Sequence, residues 1–221
     1  MKTNKFSLDN SYHQGQCAFM AGDYGNALEF FLLDIKKNKN RVDSWFHIGY
    51  CRSILGKWQQ AVEAYKTVLQ FAPENAHAYD IMGTALQKLG LYADAVESFN
   101  KAVKLSSGDA LIYCNLGKSL RKLDRFEEAV EAIQHAIVLQ PQFAYAHFEL
   151  AQTYVELDRW EEASKSYEQA LRIEPTFARA HLNLGIAYFV LGKLQEAQKE
   201  YQLLTSMDKR LAAKLAKALE K

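Results

Sequence analysis

The chain reads as all-α, a row of helical hairpins. Three observations predict this: a 34-residue internal period, apolar residues at helical spacing inside each copy, and only three prolines in 221 residues to interrupt helices. The period is seen by laying Gly15, Gly49, Gly83, Gly117, Ala151 and Gly185 over one another. Ala27, Ala61, Ala95, Ala129, Ala163 and Ala197 fall on the same lattice, as do Pro73, Pro141 and Pro175. Six copies follow without insertion or deletion, at 8–41, 42–75, 76–109, 110–143, 144–177 and 178–211. Residues 1–7 are left as an N-terminal extension.

Each copy contains two helices. In the second copy Trp45, Ile48 and Leu55 belong to the first, and Trp58, Ala61, Val62, Tyr65, Val68 and Leu69 form the stripe of the second. Between them one slot holds Gly22, Gly56, Gly90, Asp124, Asp158 and Gly192. A helix commonly ends on a residue of positive φ, where glycine has no Cβ to clash and aspartate is better tolerated than most residues.

The small residues predict close approach. Gly117 and Ala129 should lie where the two helices of a copy touch, with large neighbours such as Leu55, Leu89, Leu123, Leu157 and Leu191 filling the space beside them. Tyr24, Trp58, Tyr92, Phe126 and Trp160 share a further slot. A single hairpin cannot bury its stripe, whereas stacked hairpins can. In the first copy Gln14 and Asp34 occupy slots that are mostly apolar elsewhere, which predicts an N-terminal cap with a polar outer face. After the last copy, Leu211, Leu215 and Leu219 with interleaved lysines predict a capping helix over 212–221. Capped at both ends, the sequence is expected to be a whole protein or an intact domain.

With its 34-residue period and the pattern W-x2-[LI]-G … A-x3-[YF] … P, seen in Trp45, Ile48, Gly49, Ala61, Tyr65 and Pro73, the chain resembles the tetratricopeptide repeat family over about 8–211. The resemblance implies a right-handed superhelical solenoid of six helix-turn-helix repeats plus the capping helix. It also implies first helices lining a concave groove, and protein recognition in place of catalysis.

Composition restricts the function further. The 27 basic and 26 acidic residues nearly cancel, so no global field draws the chain to nucleic acid or anionic lipid. No run approaches the roughly 18 apolar residues of a membrane span, and MKTNKFSLDN has no apolar core of signal-peptide length. Cys17, Cys51 and Cys114 fit reduced thiols. The expectation is a cytoplasmic protein that is not an enzyme and needs no cofactor or metal.

Several motifs tempt and fail. "GKS" at Gly117–Ser119 lacks the upstream glycine of a phosphate loop, because Ile112 stands there. His13-x3-Cys17 and His47-x3-Cys51 share helix faces, but equivalent residues of neighbouring copies are offset by about 8–10 Å, too far to converge on one zinc. His147 and His181 stand where Trp45, Tyr79 and Tyr113 stand in other copies and read as packing residues. Glu127–Glu128 and Glu161–Glu162 are adjacent in sequence and diverge on a helix.

If first helices line a groove, its wall is expected to be aromatic at the start (Tyr12, Phe19, Phe46, Tyr50), basic in the middle (Lys88, Lys118, Arg121, Lys122) and apolar at the end (Phe148, Val155, Leu182, Ile186, Phe189, with Gln152 among them). Gln16, Ser53, Asp80, Thr84, Gln87 and Cys114 share those faces. The partner-binding residues named from sequence are Tyr12, Phe46, Tyr50, Lys88, Lys118, Arg121, Lys122, Phe148 and Gln152. The expected partner is a protein or peptide segment, with an acidic one favoured by the basic centre.

The slots that clamp chaperone-tail carboxylates in some tetratricopeptide proteins hold no matching set in any window; the first reads Tyr12, Gln16, His47, His77 and Ile81. The alternative function is a self-assembling scaffold, similar in outline to bacterial tetratricopeptide proteins that coat organelles. An RNA reader of the pentatricopeptide type would favour a 35-residue period and a strongly basic chain, and this sequence has neither.

Overall fold

The computed structural model describes residues 10–220. Among them are thirteen helices and no strand. The expected N-terminal extension, and the start of the first copy at residues 8 and 9, lie outside the described residues. The chain divides into two compact units, up to Ser107 and from Gly108 onward.

The first unit holds α1 (Asn10–Met20), α2 (Tyr24–Lys37), α3 (Val42–Ile54), α4 (Trp58–Phe71), α5 (Ala76–Lys88) and α6 (Tyr92–Leu105). Each odd-numbered helix folds back on the even-numbered helix that follows it. Ala27, Phe31, Ile48, Cys51 and Ala64 are closed to solvent and form one core cluster. The second unit holds α7 (Ala110–Arg121), α8 (Phe126–Leu139), α9 (Ala144–Glu156), α10 (Trp160–Ile173), α11 (Ala178–Val190), α12 (Leu194–Met207) and α13 (Lys209–Leu219). Its core runs through Ile133, Phe148, Ala151, Tyr167 and Leu184.

The hairpin turn is the same device each time. Gly22, Gly56, Gly90 and Gly192 have φ of 72–77°, and Asp124 and Asp158 have 57° and 56°. In the second copy the Gly56 N–H donates to the Ser53 carbonyl and the Lys57 N–H to the Arg52 carbonyl. This Schellman pairing satisfies carbonyls that a helix end would otherwise leave open. It recurs at all six turns, so the left-handed residue is required by backbone geometry alone.

The small-residue slot is equally physical. A Cβ added to Gly49 would stand 2.8 Å from the Tyr65 ring, and one on Gly83 would stand 2.8 Å from Phe99. Both rings are fully buried, and each is seated where the missing side chain would have been. In the last hairpin the same role passes to another element. Leu215 of α13 lies against Gly185, while Tyr201, the lattice equivalent of Tyr65, stays partly exposed.

Three sequence expectations need correction. Asp34 does not face solvent as a cap would. It is buried and accepts hydrogen bonds from Ser44 Oγ at 2.6 Å, Arg41 Nη1 at 3.0 Å and Asn38 Nδ2 at 3.2 Å, tying the end of α2 to the start of α3. The closing helix starts at Lys209, earlier than expected, because Asp208 accepts from the backbone N–H groups of Arg210 and Leu211 and caps it there. Leu55 is 43% exposed and does not fill an interior gap.

A further tie joins helix starts to the loops before them. The Trp45 indole N–H donates to the Lys39 carbonyl at 2.7 Å, and Nε2 of His181 meets the Pro175 carbonyl at 2.9 Å. His147 repeats the contact with Pro141 at 3.1 Å. Tryptophan and histidine share this slot because each offers a ring N–H at similar reach.

Candidate functional site

The first unit holds four of the nine residues named from sequence. Tyr12, Phe46 and Tyr50 are half-buried and pack against neighbouring rings. The Tyr12 centroid lies 5.8 Å from Phe31, Tyr50 lies 5.2 Å from Phe19, and Phe46 stacks on His77 at 5.2 Å. Arg41 sits over the Tyr12 ring at 4.9 Å. These aromatics join successive hairpins and leave only part of each ring open. Lys88 is exposed, and Ser53, placed on the groove face from sequence, is buried with its hydroxyl on the Gly49 carbonyl. A hollow of about 310 Å³ between α4, α5 and α6 is lined by Tyr79, Met82, Asp94 and Lys101, among others, and by none of the residues named.

The second unit presents a better-formed site. A cleft of about 200 Å³ is lined by Arg121 of α7, Gln152, Val155 and Glu156 of α9, Trp160 and Tyr167 of α10, and Asn183 and Ile186 of α11. Arg121, Gln152, Val155 and Ile186 were expected on the groove face; Glu156, Trp160, Tyr167 and Asn183 were not.

Arg121 overturns its expected role as a free cation. Its Nη2 donates to Glu149 Oε2 at 2.8 Å and to Gln152 Oε1 at 3.0 Å, and Nη1 lies 3.7 Å from Glu156 Oε1. The Arg121 and Glu149 side chains are only 7% and 4% exposed, and Glu156 is 50% exposed. Two carboxylates therefore answer one guanidinium, so the attraction expected for an acidic partner is already satisfied within the fold. The buried Arg121 Nε–H has no acceptor. A buried donor without a partner costs about 1–3 kcal/mol.

Lys118, Phe148 and Cys114 also depart from expectation, while Lys122 does not. Lys118 donates from Nζ to the Tyr145 hydroxyl at 3.0 Å and is half-buried. Burial, reinforced by the Glu149 charge, pushes the Tyr145 hydroxyl well above its usual range, so it meets Lys118 as a neutral phenol. Lys122 is exposed at the C-cap of α7. Phe148 is a core residue with no exposed surface, sealed by Phe177 at 4.7 Å and Tyr167 at 5.7 Å. Cys114 is likewise closed, and burial pushes its thiol up, away from nucleophilic character. Burial pushes the Cys51 thiol up to about 11. Among the described residues no three His, Cys, Asp or Glu side chains converge as metal ligands would.

Sequence models of the tetratricopeptide repeat match residues 55–110 and 178–210, and a TPR repeat model matches 117–158 and 151–192. The crystal structure of MamA superposes with a TM-score of 0.70 at 31% identity, over 75% of this chain and 97% of MamA. The chain belongs to the tetratricopeptide repeat family. Its fold is that family's all-α repeat solenoid. Two further tetratricopeptide structures share the fold. MamA (residue 41 to the end) from Desulfovibrio magneticus RS-1 has a TM-score of 0.74 at 24% identity, over 77% of this chain and 96% of that one. YrrB, described as a TPR protein with an unusual peptide-binding site, has a TM-score of 0.68 at 22% identity, over 85% and 97%. No curated protein sequence matches significantly.

Within the tetratricopeptide lattice, Arg121 and Glu149 sit on the first helices of successive copies. That spacing was the available signal for their pairing: opposite charges on adjoining first helices, 28 residues apart. No helix among the described residues is long and apolar enough to cross a membrane.

Proposed function

We propose that the chain is a non-catalytic adaptor or scaffold that grips a peptide segment of a partner protein along the first helices of the second unit. In this reading the sequence is organised as six 34-residue repeats over 8–211 closed by a helix over 212–221, and no cofactor or nucleic acid takes part.

One observation carries the proposal. The cleft offers an apolar wall (Val155, Trp160, Ile186) and two amide side chains (Gln152, Asn183). The main chain of an extended peptide carries acceptors and donors in alternation, and its side chains can fill the apolar part. The family resemblance supports the same reading, because function in such solenoids lies in the surface the hairpins display.

Affinity capture from native lysate tests it, with the wild type beside the Asn183→Ala/Ile186→Ala double variant. The expected result is a protein retained by the wild type and lost from a variant with an unchanged helical spectrum. Equal retention by both overturns the cleft as the binding surface. Light scattering across a concentration series separates the self-assembling alternative. An oligomer dispersed by the same double substitution would replace the partner with a second copy of the chain.

A further inference from the structure

A second hollow in the same unit, of about 560 Å³, shares Gln152 and Asn183 with the cleft as a common wall. It runs over the start of α11 and the start of α13 and carries Arg179, Arg210 and Lys214. None of these three cations forms an ion pair among the described residues, and all are exposed. Glu174 and Asp208 also line the hollow, but the Asp208 carboxylate is committed to the backbone N–H groups that begin α13. The two hollows thus form one groove with unlike ends. One has an apolar wall and its arginine internally neutralised; in the other Arg179 lies over the Phe148 ring at 5.2 Å, and Arg210 and Lys214 are exposed cations in no ion pair among the described residues.

We infer that this groove takes an extended acidic peptide, with an aliphatic side chain seated between Val155 and Ile186 and a carboxylate further along the segment met by Arg210 and Lys214. The assignment deepens the adaptor reading and rests on it. Gln152 and Asn183, between the two ends, are placed to bond the intervening main chain. Charge complementarity sets the direction of the segment, and the apolar cleft sets its register. This proposal keeps the acidic partner expected from sequence but moves its contacts from Lys88, Lys118, Arg121 and Lys122 to Arg210 and Lys214.

The probe is a phage-displayed library of random dodecapeptides, selected on the immobilised full chain. Enriched peptides are then synthesised and measured by fluorescence anisotropy. The expected consensus pairs an aliphatic residue with an acidic one at fixed separation. Binding should weaken about tenfold in Arg210→Glu/Lys214→Glu, the sum of two exposed charge contacts. It should also weaken as salt rises, and be lost in Ile186→Ala. A peptide with its acid replaced by lysine should regain affinity for the double-glutamate variant, which a misfolded variant could not produce. Enrichment of neutral or basic peptides that still depend on Ile186 overturns the acidic assignment and leaves the adaptor reading standing. Enrichment indifferent to every substitution, or no enrichment at all, overturns both.

Discussion

Arg121 on α7 and Glu149 on α9 are joined at 2.8 Å, and both side chains are withdrawn from solvent. Such a pair holds two helices in register, and its rupture strands a charge. Arg121→Ala is expected to lower stability by about 3–5 kcal/mol, because Glu149 would remain buried without its partner. Replacing both residues by apolar ones, Arg121→Met with Glu149→Leu, should recover most of the loss. Urea denaturation of the three proteins measures this. An Arg121→Ala protein as stable as the wild type would return Arg121 to the role of a surface contact.

Gly117 has no room for a side chain. An added Cβ would collide with Ile133 and come within 3.0 Å of the Ala129 carbonyl oxygen. Gly117→Val should therefore destabilise by about 1–3 kcal/mol or more, since a packed helix contact cannot widen locally. Glu127→Lys, at an exposed position of α8, should stay within about 0.5 kcal/mol. Equal melting temperatures for the two would contradict the close approach of α7 and α8.

The buried Ser44 hydroxyl donates to Asp34 Oδ2 at 2.6 Å. Asp34→Ala is expected to cost about 1–3 kcal/mol through that orphaned donor, and Asp34→Ala with Ser44→Ala should cost less than the sum of the singles. A double-mutant cycle reads the coupling. Strict additivity would mean that the two residues do not cooperate.

His181 predicts a pH dependence. Nδ1 meets Glu200 Oε2 at 2.5 Å and Nε2 meets the Pro175 carbonyl, so both ring nitrogens face acceptors. The hydrogen bond to Glu200 raises the imidazole above its ordinary 6.5 despite opposing burial, and the Pro175 carbonyl adds to the rise. With the folded-state value above 6.5, the stabilisation is fully present below pH 6.5 and is lost as pH climbs through the raised folded-state value. The melting temperature should fall on the alkaline side in the wild type, and His181→Gln should flatten that part of the profile. Parallel profiles for the two proteins would rule out the imidazolium.

What the sequence made legible is what depends on short-range backbone geometry. A residue of positive φ is demanded by the turn itself, so Asp124 and Asp158 could be read beside the glycines. Gly117 could be read because a helix contact excludes a side chain whatever lies opposite. The binding surface was less legible, since helical periodicity assigns a face without saying what stands across from it. Phe148 and Ile186 lie on similar faces, yet Phe177 and Tyr167 close over Phe148 while Ile186 borders the cleft. Asp34 read as a cap because its polarity was visible and its partner Ser44 was not recognised.

Each hairpin is closed at its bend by the same pair of main-chain hydrogen bonds. The joints are thus indifferent to the chemistry displayed around them, and residues on the outer surfaces can be exchanged without disturbing the hinge. A chain built this way can change its clientele by drift at a few positions while its framework stays fixed.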